Sequence, residues 1–329
     1  MRKASENYTN TVKIYHGYGH EQNLILFGHV FSRKPFLRKK YSNNIFSNII
    51  HIIKLFFVKP SPGVNVRLKW REQFFTSTTT SDGFFKFEWQ SDTKTSAGWH
   101  NVKVDLLNSL GDVAATGEGE IFVPHVTQYA FISDIDDTIL VSHSASTAKR
   151  LRVLFTKNPR SRKAFEDVVK HYQLLSIAHT EPSVPNPFFY VSSSEWNLYN
   201  DLNEFFKHNG LPKGAFLLNE IKKWYQLFKT GKTKHQGKLI RVARIMQAFP
   251  EQHFVLLGDN SQSDPEIYVS IANKYPDKIA AIYIRNISLK KKLITEKRLT
   301  SLNNKAIHTC LFNYNEEAIK HSKAIGLII

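Results

Sequence analysis

The stretch FISDIDDTIL, residues 131–140, decides how the rest of the chain is read. Residues 129–133 (YAFIS) have the length and apolar character of a short buried strand, and they run directly into Asp134-Ile135-Asp136-Asp137-Thr138. Two later stretches repeat the form. FFYV (188–191) runs into Ser192-Ser193-Ser194, and HFVLL (253–257) into Gly258-Asp259-Asn260-Ser261-Gln262-Ser263-Asp264. Further strands are expected at 215–218 and 279–284. Helices are expected at 148–155, 162–175, 196–209 (stopped by Gly210), 238–249, 265–274 and 316–325. Alternating strands and helices imply an α/β domain, a Rossmann-like parallel sheet with helices on both faces. Sites in such sheets form at the carboxyl ends of the strands, so the three polar segments should share one edge.

Upstream of Pro124 the texture is different. Residues 23–31 form an apolar run of strand length, 64–70 and 102–106 alternate apolar and polar, and 117–123 reads as one more short strand. Ser81-Asp82-Gly83 is a turn signal between two β-prone stretches, which predicts a hairpin over 76–89. Short strands at this spacing suggest a small β-sandwich. The expected division is therefore a β-rich domain over 1–125 and an α/β domain over 126–329, in line with roughly 150 residues per domain for 329 residues. One segment, about 42–59, breaks the β pattern. Its apolar residues fall at 45, 46, 49, 50, 53, 56 and 57, with Ser47, His51 and Lys54 on the other side. It reads as an amphipathic helix, either packed on the β-domain or lying on an anionic bilayer.

Forty-five Lys+Arg against 28 Asp+Glu give a net charge of +17, which favours polyanionic partners: nucleic acid, anionic membrane or a phosphorylated substrate. Cations cluster at Lys149, Arg150, Arg152, Lys157, Arg160, Arg162 and Lys163, and again at Lys290–Lys292 with Lys297 and Arg298. Each run could face an anionic headgroup or simply be solvated. A single cysteine, Cys310, excludes an intramolecular disulfide and a cysteine-built zinc site. Residues 1–10 are polar and the apolar run at 45–58 is broken by Asn48, His51 and Lys54, so neither a leader nor a membrane span is expected. The expected location is cytoplasmic, with peripheral attachment to a membrane left open.

Asp134, Asp136, Asp137, Asp259 and Asp264 gathered at one edge would repel one another unless a cation sat among them. An oxygen-only ligand set suits a hard ion such as Mg²⁺. Mg²⁺ recruits substrate phosphate, so phosphoryl transfer is the natural chemistry. Two aspartates two residues apart can then divide the labour, one attacking phosphorus and the other donating a proton. Each loop taken singly also reads as an ordinary solvated turn. It is their order, each after a strand, that joins them.

That order resembles the haloacid dehalogenase superfamily of Mg²⁺-dependent phosphohydrolases. Its DxDx(T/V) signature is matched by Asp134, Asp136 and Thr138, its strand-end Ser/Thr by Ser192, and its acidic loop by Gly258, Asp259 and Asp264. More narrowly, FISDIDDTIL, YVSSSEWNLY and FVLLGDNSQSDPEIY resemble the phosphatidate phosphatase catalytic domain of the actin-patch-protein type. VKIYHGYG, SDGFFKFEW and GWHNVKV fit the β-rich region upstream of it. The resemblance implies Asp134 as nucleophile and Asp136 as acid and base. It implies Lys238 as the phosphate-neutralising lysine, with Lys234 of the same TGKTKHQGK stretch as alternative. Thr138, Ser192 and Ser193 would bind substrate, and Asp134, Asp136 (through its carbonyl), Asp259 and Asp264 would hold Mg²⁺. Departures are Ser193-Ser194-Glu195-Trp196 where the family has Asn-Ser-Pro-Trp, and Asn260-Ser261-Gln262 where it has Ser-Gly-Gln.

The implied activity is hydrolysis of a phosphomonoester lipid, phosphatidate first, with an anionic phospholipid and its membrane surface as partners. No nucleic-acid-binding motif is present, and no nucleic-acid partner is expected. Removal of terminal phosphates from nucleic acid, or a non-catalytic membrane-binding scaffold, are the alternatives.

Overall fold

A computed structural model describes residues 10–38, 40–141, 156–222 and 234–329, with side chains from 237 onward in the last segment. The chain forms two compact units. One comprises Met1–Arg38, Ile53–Val123 and Glu220–Phe228; the other comprises Lys39–Ile52, Pro124–Asn219 and Lys229–Ile329. Lys149, Arg150, Arg152, the Lys234 side chain and the whole helix expected at 148–155 lie outside the described residues and side chains.

Among the described residues, the first unit holds eight strands: β1 (Thr11–Ile14), β2 (Gly17–Gly19), β3 (Asn23–Phe31), β4 (Asn65–Trp70), β5 (Gln73–Thr78), β6 (Phe84–Gln90), β7 (Gly98–Leu107) and β8 (Val113–Val123). They join one mixed sheet in the order β1-β3-β2-β8-β7-β4-β5, with β6 on β3. Alternation explains the pattern. Val66, Leu68 and Trp70 of β4, Phe85, Phe87 and Trp89 of β6, and Val102, Val104 and Leu106 of β7 all enter a single apolar core. The turn at Ser81-Asp82-Gly83 forms, with Gly83 at φ +78°, a conformation glycine adopts without strain. It does not make the expected hairpin: β5 pairs with β4, and β6 pairs with β3. A true two-residue hairpin joins β4 to β5 instead, through Arg71 at φ 52°.

Helix α1 (Ile45–Phe56) forms where the periodicity places it, but its buried side is not the expected one. Asn48 and His51 are buried, while Ile45, Phe46, Ile50 and Ile53 are exposed. Two polar partners explain the inversion: His51 Nε2 lies 3.1 Å from the buried Asp201 carboxylate, and Asn48 Nδ2 donates to the Thr156 carbonyl at 3.0 Å.

The second unit is α/β. Six strands, β9 (Ala130–Ser133), β10 (Phe188–Glu195), β11 (Gly214–Asn219), β12 (Phe254–Asp259), β13 (Ile279–Arg285) and β14 (His308–Phe312), run in the order β11-β10-β9-β12-β13-β14. Every pairing in this sheet is parallel. The helices are α2 (Val168–Ser176), α3 (Tyr199–Asn209), α4 (Lys234–Ala248), α5 (Asp264–Lys274), α6 (Lys292–Thr300) and α7 (Asn315–Ala324). Near-continuous apolar runs such as FVLL are what a sheet buried on both faces requires. Gly210, left-handed at φ 69°, ends α3 as its sequence position predicts. The helix expected over 162–175 is shorter. Ala164 bridges to Leu140, and Asp167 sits at φ 54°, so α2 starts only at Val168.

Strand β9 is the hinge of this arrangement because β10 and β12 flank it. Phe131, fully buried, stacks on Phe188 of β10 at 4.8 Å between ring centroids. Replacing Phe131 with Ala should cost about 3–5 kcal/mol, read as a lower midpoint in urea unfolding. A midpoint equal to wild type would show that this contact does not hold β9 to β10.

Candidate active site

The carboxyl ends of β9, β10 and β12 converge as their order in the sheet demands. After β9 the chain folds back on itself. Asp137, at φ 62°, donates its N–H to the Leu140 carbonyl at 2.8 Å, and Leu140 N–H reaches back to Ile135 O at 3.0 Å. Aspartate tolerates this left-handed conformation better than most residues. The turn leaves Asp134 and Asp136 at the strand end, buried at 3% and 6% exposure.

Asp134, Asp259 and Asp264 offer carboxylate oxygens that all lie within 4.8 Å of one another. Lys238, near the start of α4, donates to Asp134 Oδ1 at 2.7 Å and makes a short contact with Asp264 Oδ1. Thr138 Oγ1 lies 3.4 Å from both Asp134 Oδ2 and Asp259 Oδ2. The acidic loop is held from within: Ser261 N–H donates to Asp259 Oδ1 at 2.5 Å, and Asp259 N–H to Asp264 Oδ2 at 3.3 Å. Gly258 is obligatory for this packing, since a Cβ there would meet Asp264 Oδ2 at 2.6 Å.

The electrostatics follow from burial. Desolvation, with the neighbouring Asp264, Asp259 and Asp136 charges added, pushes the Asp134 carboxyl well above its usual range, although Lys238 opposes this. Asp259 is pushed up to about 7 by burial and by Asp264. Burial works against the Lys238 ammonium, but the charges of Asp134 and Asp264 outweigh it and hold the lysine protonated. Four carboxylates, with Asp136, thus face one ammonium. A compact group of buried oxygens with surplus negative charge is chemically suited to a hard divalent cation.

The Asp136 carboxylate is turned to a different task. Its Oδ2 accepts from Ser192 Oγ at 3.1 Å and from Ser194 Oγ at 3.2 Å. β10 continues through Glu195, so these serines belong to the strand end itself, at an irregularity in register between Val191 and Glu195. Ser193, singled out in the sequence, contributes its carbonyl, which accepts from Asn219 Nδ2 at 2.9 Å. Ser194 was not singled out, although alternation along the strand puts it on the same side as Ser192.

Two arginines were also not singled out. Arg241, one turn beyond Lys238 on α4, donates to Asn219 Oδ1 at 2.7 Å and lies 3.4 Å from the Ser192 carbonyl. With Asn219 it clamps the serine segment. Arg285, at the end of β13, donates Nε–H to the Thr138 carbonyl at 3.2 Å and stacks over Phe165 at 4.1 Å. Burial lowers both guanidinium groups to about 10, so they remain cations at neutral pH.

Three outcomes test this geometry. Between about pH 4 and 7 the folded, cation-free protein holds a proton on Asp259 that the unfolded chain has released. Its stability should therefore fall as pH rises through that window. A divalent cation needs the carboxylates ionised, so Mg²⁺ should raise the melting temperature more at pH 7.5 than at pH 5, and not at all in Asp259→Asn. An equal or absent shift at both pH values would contradict the assignment. Gly258→Ala should cost about 1–3 kcal/mol by overpacking against Asp264 and should blunt the same Mg²⁺ response.

Comparison with known proteins finds one family over the segment that carries these residues. Residues 129–286 match the family described as phosphatidate phosphatase APP1, catalytic domain. Phosphatidate phosphatase APP1 of Saccharomyces cerevisiae is 32% identical over 157 residues, covering 47% of this chain and 25% of that protein. An uncharacterized protein of Schizosaccharomyces pombe is 22% identical over 207 residues, covering 62% of this chain and 33% of its own length. The chain thus spans a quarter to a third of the curated relatives it matches. Among solved structures, a carbohydrate acetylesterase from Xanthomonas citri aligns over 92% of this chain and 68% of its own, at 10% identity and a TM-score of 0.34, a likeness too low to carry weight. Over residues 129–286, this chain is thus similar to the catalytic domain of phosphatidate phosphatase APP1.

Proposed function

We propose that the α/β unit is a haloacid-dehalogenase-type phosphatase that hydrolyses phosphatidate to diacylglycerol and phosphate. The observation that supports this reading is the buried Asp134–Lys238–Asp264 contact beside Asp259, at the carboxyl end of a parallel sheet. The substrate class follows the S. cerevisiae relative. Residues 126–329 carry the catalytic residues, with Lys39–Ile52 grouped in the same α/β unit, and the strands of 1–125 form a β-rich module.

Asp134, Asp259 and Asp264 would hold the cation, with the Asp136 backbone carbonyl as a further ligand. When bound, Mg²⁺ offsets charge on the phosphoryl oxygens. Asp134 attacks phosphorus. The bond from phosphorus to the diacylglycerol oxygen breaks as Asp136 gives that oxygen its proton. Asp136, now a carboxylate, takes a proton from water. The resulting hydroxide attacks the phosphorylated Asp134 and releases phosphate, with the Asp134 carboxylate as leaving group.

Ser192 and Ser194 both donate to Asp136 Oδ2, which leaves Oδ1 to carry the transferable proton. Lys238 neutralises Asp134 before substrate arrives and can shift toward a phosphoryl oxygen as the aspartate is consumed. Thr138 supplies its hydroxyl to a phosphoryl oxygen; Ser192 turns its single O–H from Asp136 to a phosphoryl oxygen when substrate binds, Ser194 keeps the Asp136 contact, and Ser193 flanks them.

The substrate sits in a lipid layer, so the domain works at a membrane surface as a peripheral protein. No helix among the described residues is long and apolar enough to cross a bilayer. Phosphate release from phosphatidate in mixed micelles, with Mg²⁺ or with EDTA, tests the proposal. Wild type should turn over only with Mg²⁺, and Asp134→Asn should lose at least a thousandfold. Asp136→Asn should slow both phosphorylation and hydrolysis. Undiminished turnover in Asp134→Asn would overturn the mechanism. Release from an aryl phosphate but not from phosphatidate would overturn the substrate.

A further inference from the structure

Strand β13 ends at Arg285, and the next nine residues, 286–294, bind the acidic loop while exposing apolar and basic side chains together. Leu289 is 78% exposed and Leu293 79%, with Ile294 at 49% and Ile287 at 37%. Such residues are unremarkable one at a time, but here four fall within eight positions of one short segment. The structure gives α6 its own inward side, Thr295 and Leu299, so Leu293 is left facing away from the core.

The charge on this ridge is one-sided. Between 287 and 298 there are five cations, Lys290, Lys291, Lys292, Lys297 and Arg298, against the single carboxylate Glu296. Glu296 lies 3.8 Å from Lys292, and Arg298 reaches Glu266 at 3.4 Å. Leucines flanked by lysines suit a bilayer interface, where the aliphatic parts enter the headgroup boundary and the ammonium groups stay with phosphate.

The ridge is also tied to the catalytic loop. Lys291 Nζ donates to the carbonyls of Ser261 at 2.6 Å and Gln262 at 3.1 Å. Asn260 Oδ1 accepts from the N–H groups of Ile287 and Ser288, each at 2.7 Å, and its Nδ2 donates to Asn286 Oδ1 at 2.7 Å. These contacts fix the ridge against the segment between Asp259 and Asp264, at the sheet end where the carboxylates gather.

We infer that residues 287–294 are the surface on which this domain seats on an anionic phospholipid bilayer, bringing the Asp259–Asp264 loop to the headgroup layer. The inference rests on the phosphatase reading for its purpose, but lipid binding can be tested without turnover. Charge complementarity selects the anionic bilayer as the occupant, since a neutral surface would use the leucines and leave the lysines without counter-charge.

The test is co-sedimentation, in EDTA, with phosphatidylcholine vesicles with and without phosphatidylserine, which offers no phosphomonoester. Wild type should partition to the anionic vesicles and only weakly to the neutral ones. The pair Leu289→Ser/Leu293→Ser, and separately Lys290→Gln/Lys297→Gln, should each lower that partition tenfold or more, at roughly fivefold per lysine. Both pairs replace exposed side chains and should keep the wild-type melting temperature. Hydrolysis of a soluble aryl phosphate should be unchanged, while hydrolysis of vesicular phosphatidate should fall in parallel with binding. Unchanged vesicle partition in both pairs overturns the inference, whatever the substrate proves to be. Loss of oligonucleotide binding with vesicle binding intact overturns it in favour of nucleic acid. Ridge-dependent vesicle binding without phosphatidate hydrolysis supports the docking surface and removes the substrate assignment alone.

Discussion

One buried lysine makes the carboxylate cluster tenable. Asp134, Asp259 and Asp264 are each at most 3% exposed, and water does not solvate their charges. Burying a charge costs several kcal/mol unless it is paired. Lys238 pairs two of them at once, with Nζ on Asp134 Oδ1 and Asp264 Oδ1. It does not balance the whole group, and the raised carboxyls of Asp134 and Asp259 express what remains. The surplus is the chemical opportunity. A cluster content with its own charge would have no use for a cation or a phosphate.

The parallel sheet exists, in functional terms, to deliver that cluster. β9 lies between β10 and β12, so the three strand ends that carry Asp134, Ser192 and Asp259 are neighbours before any side chain is considered. Outer elements fix the finer geometry. Arg285 from β13 holds the Thr138 carbonyl, and Arg241 with Asn219 holds the carbonyls of Ser192 and Ser193. Both arginines donate to carbonyl and side-chain amide oxygens, so their hydrogen bonds set backbone position.

Much of this was legible in the chain. The three strand-then-polar segments marked the sheet edge because a strand buried on both faces must be continuously apolar and then stop. Lys238 was preferred to Lys234 because it opens the helix expected at 238–249, and its role came from the resemblance alone. Ser194 was missed because the strand was read as ending at Val191; with β10 continuing through Glu195, alternation puts Ser194 on the side of Ser192. Arg285 and Arg241 belong to no motif in the sequence, and only the tertiary fold brings them to the strand ends. Strand β14 and helix α6 gave weak patterns because each has a largely exposed side. Helix α1 shows the opposite failure. Its period was correct, but hydrophobicity alone could not foresee that Asp201 would draw His51 inward.

The central claim is that Asp134 forms a covalent bond to phosphorus. Acid quenching during turnover of radiolabelled phosphatidate in the presence of Mg²⁺ measures it directly. Acid-stable, hydroxylamine-labile label should appear on the peptide containing Asp134, more of it in Asp136→Asn if hydrolysis is slowed more than formation, and none in Asp134→Asn. Steady turnover by wild type with label on no peptide, or with label on a peptide lacking Asp134, would contradict the account.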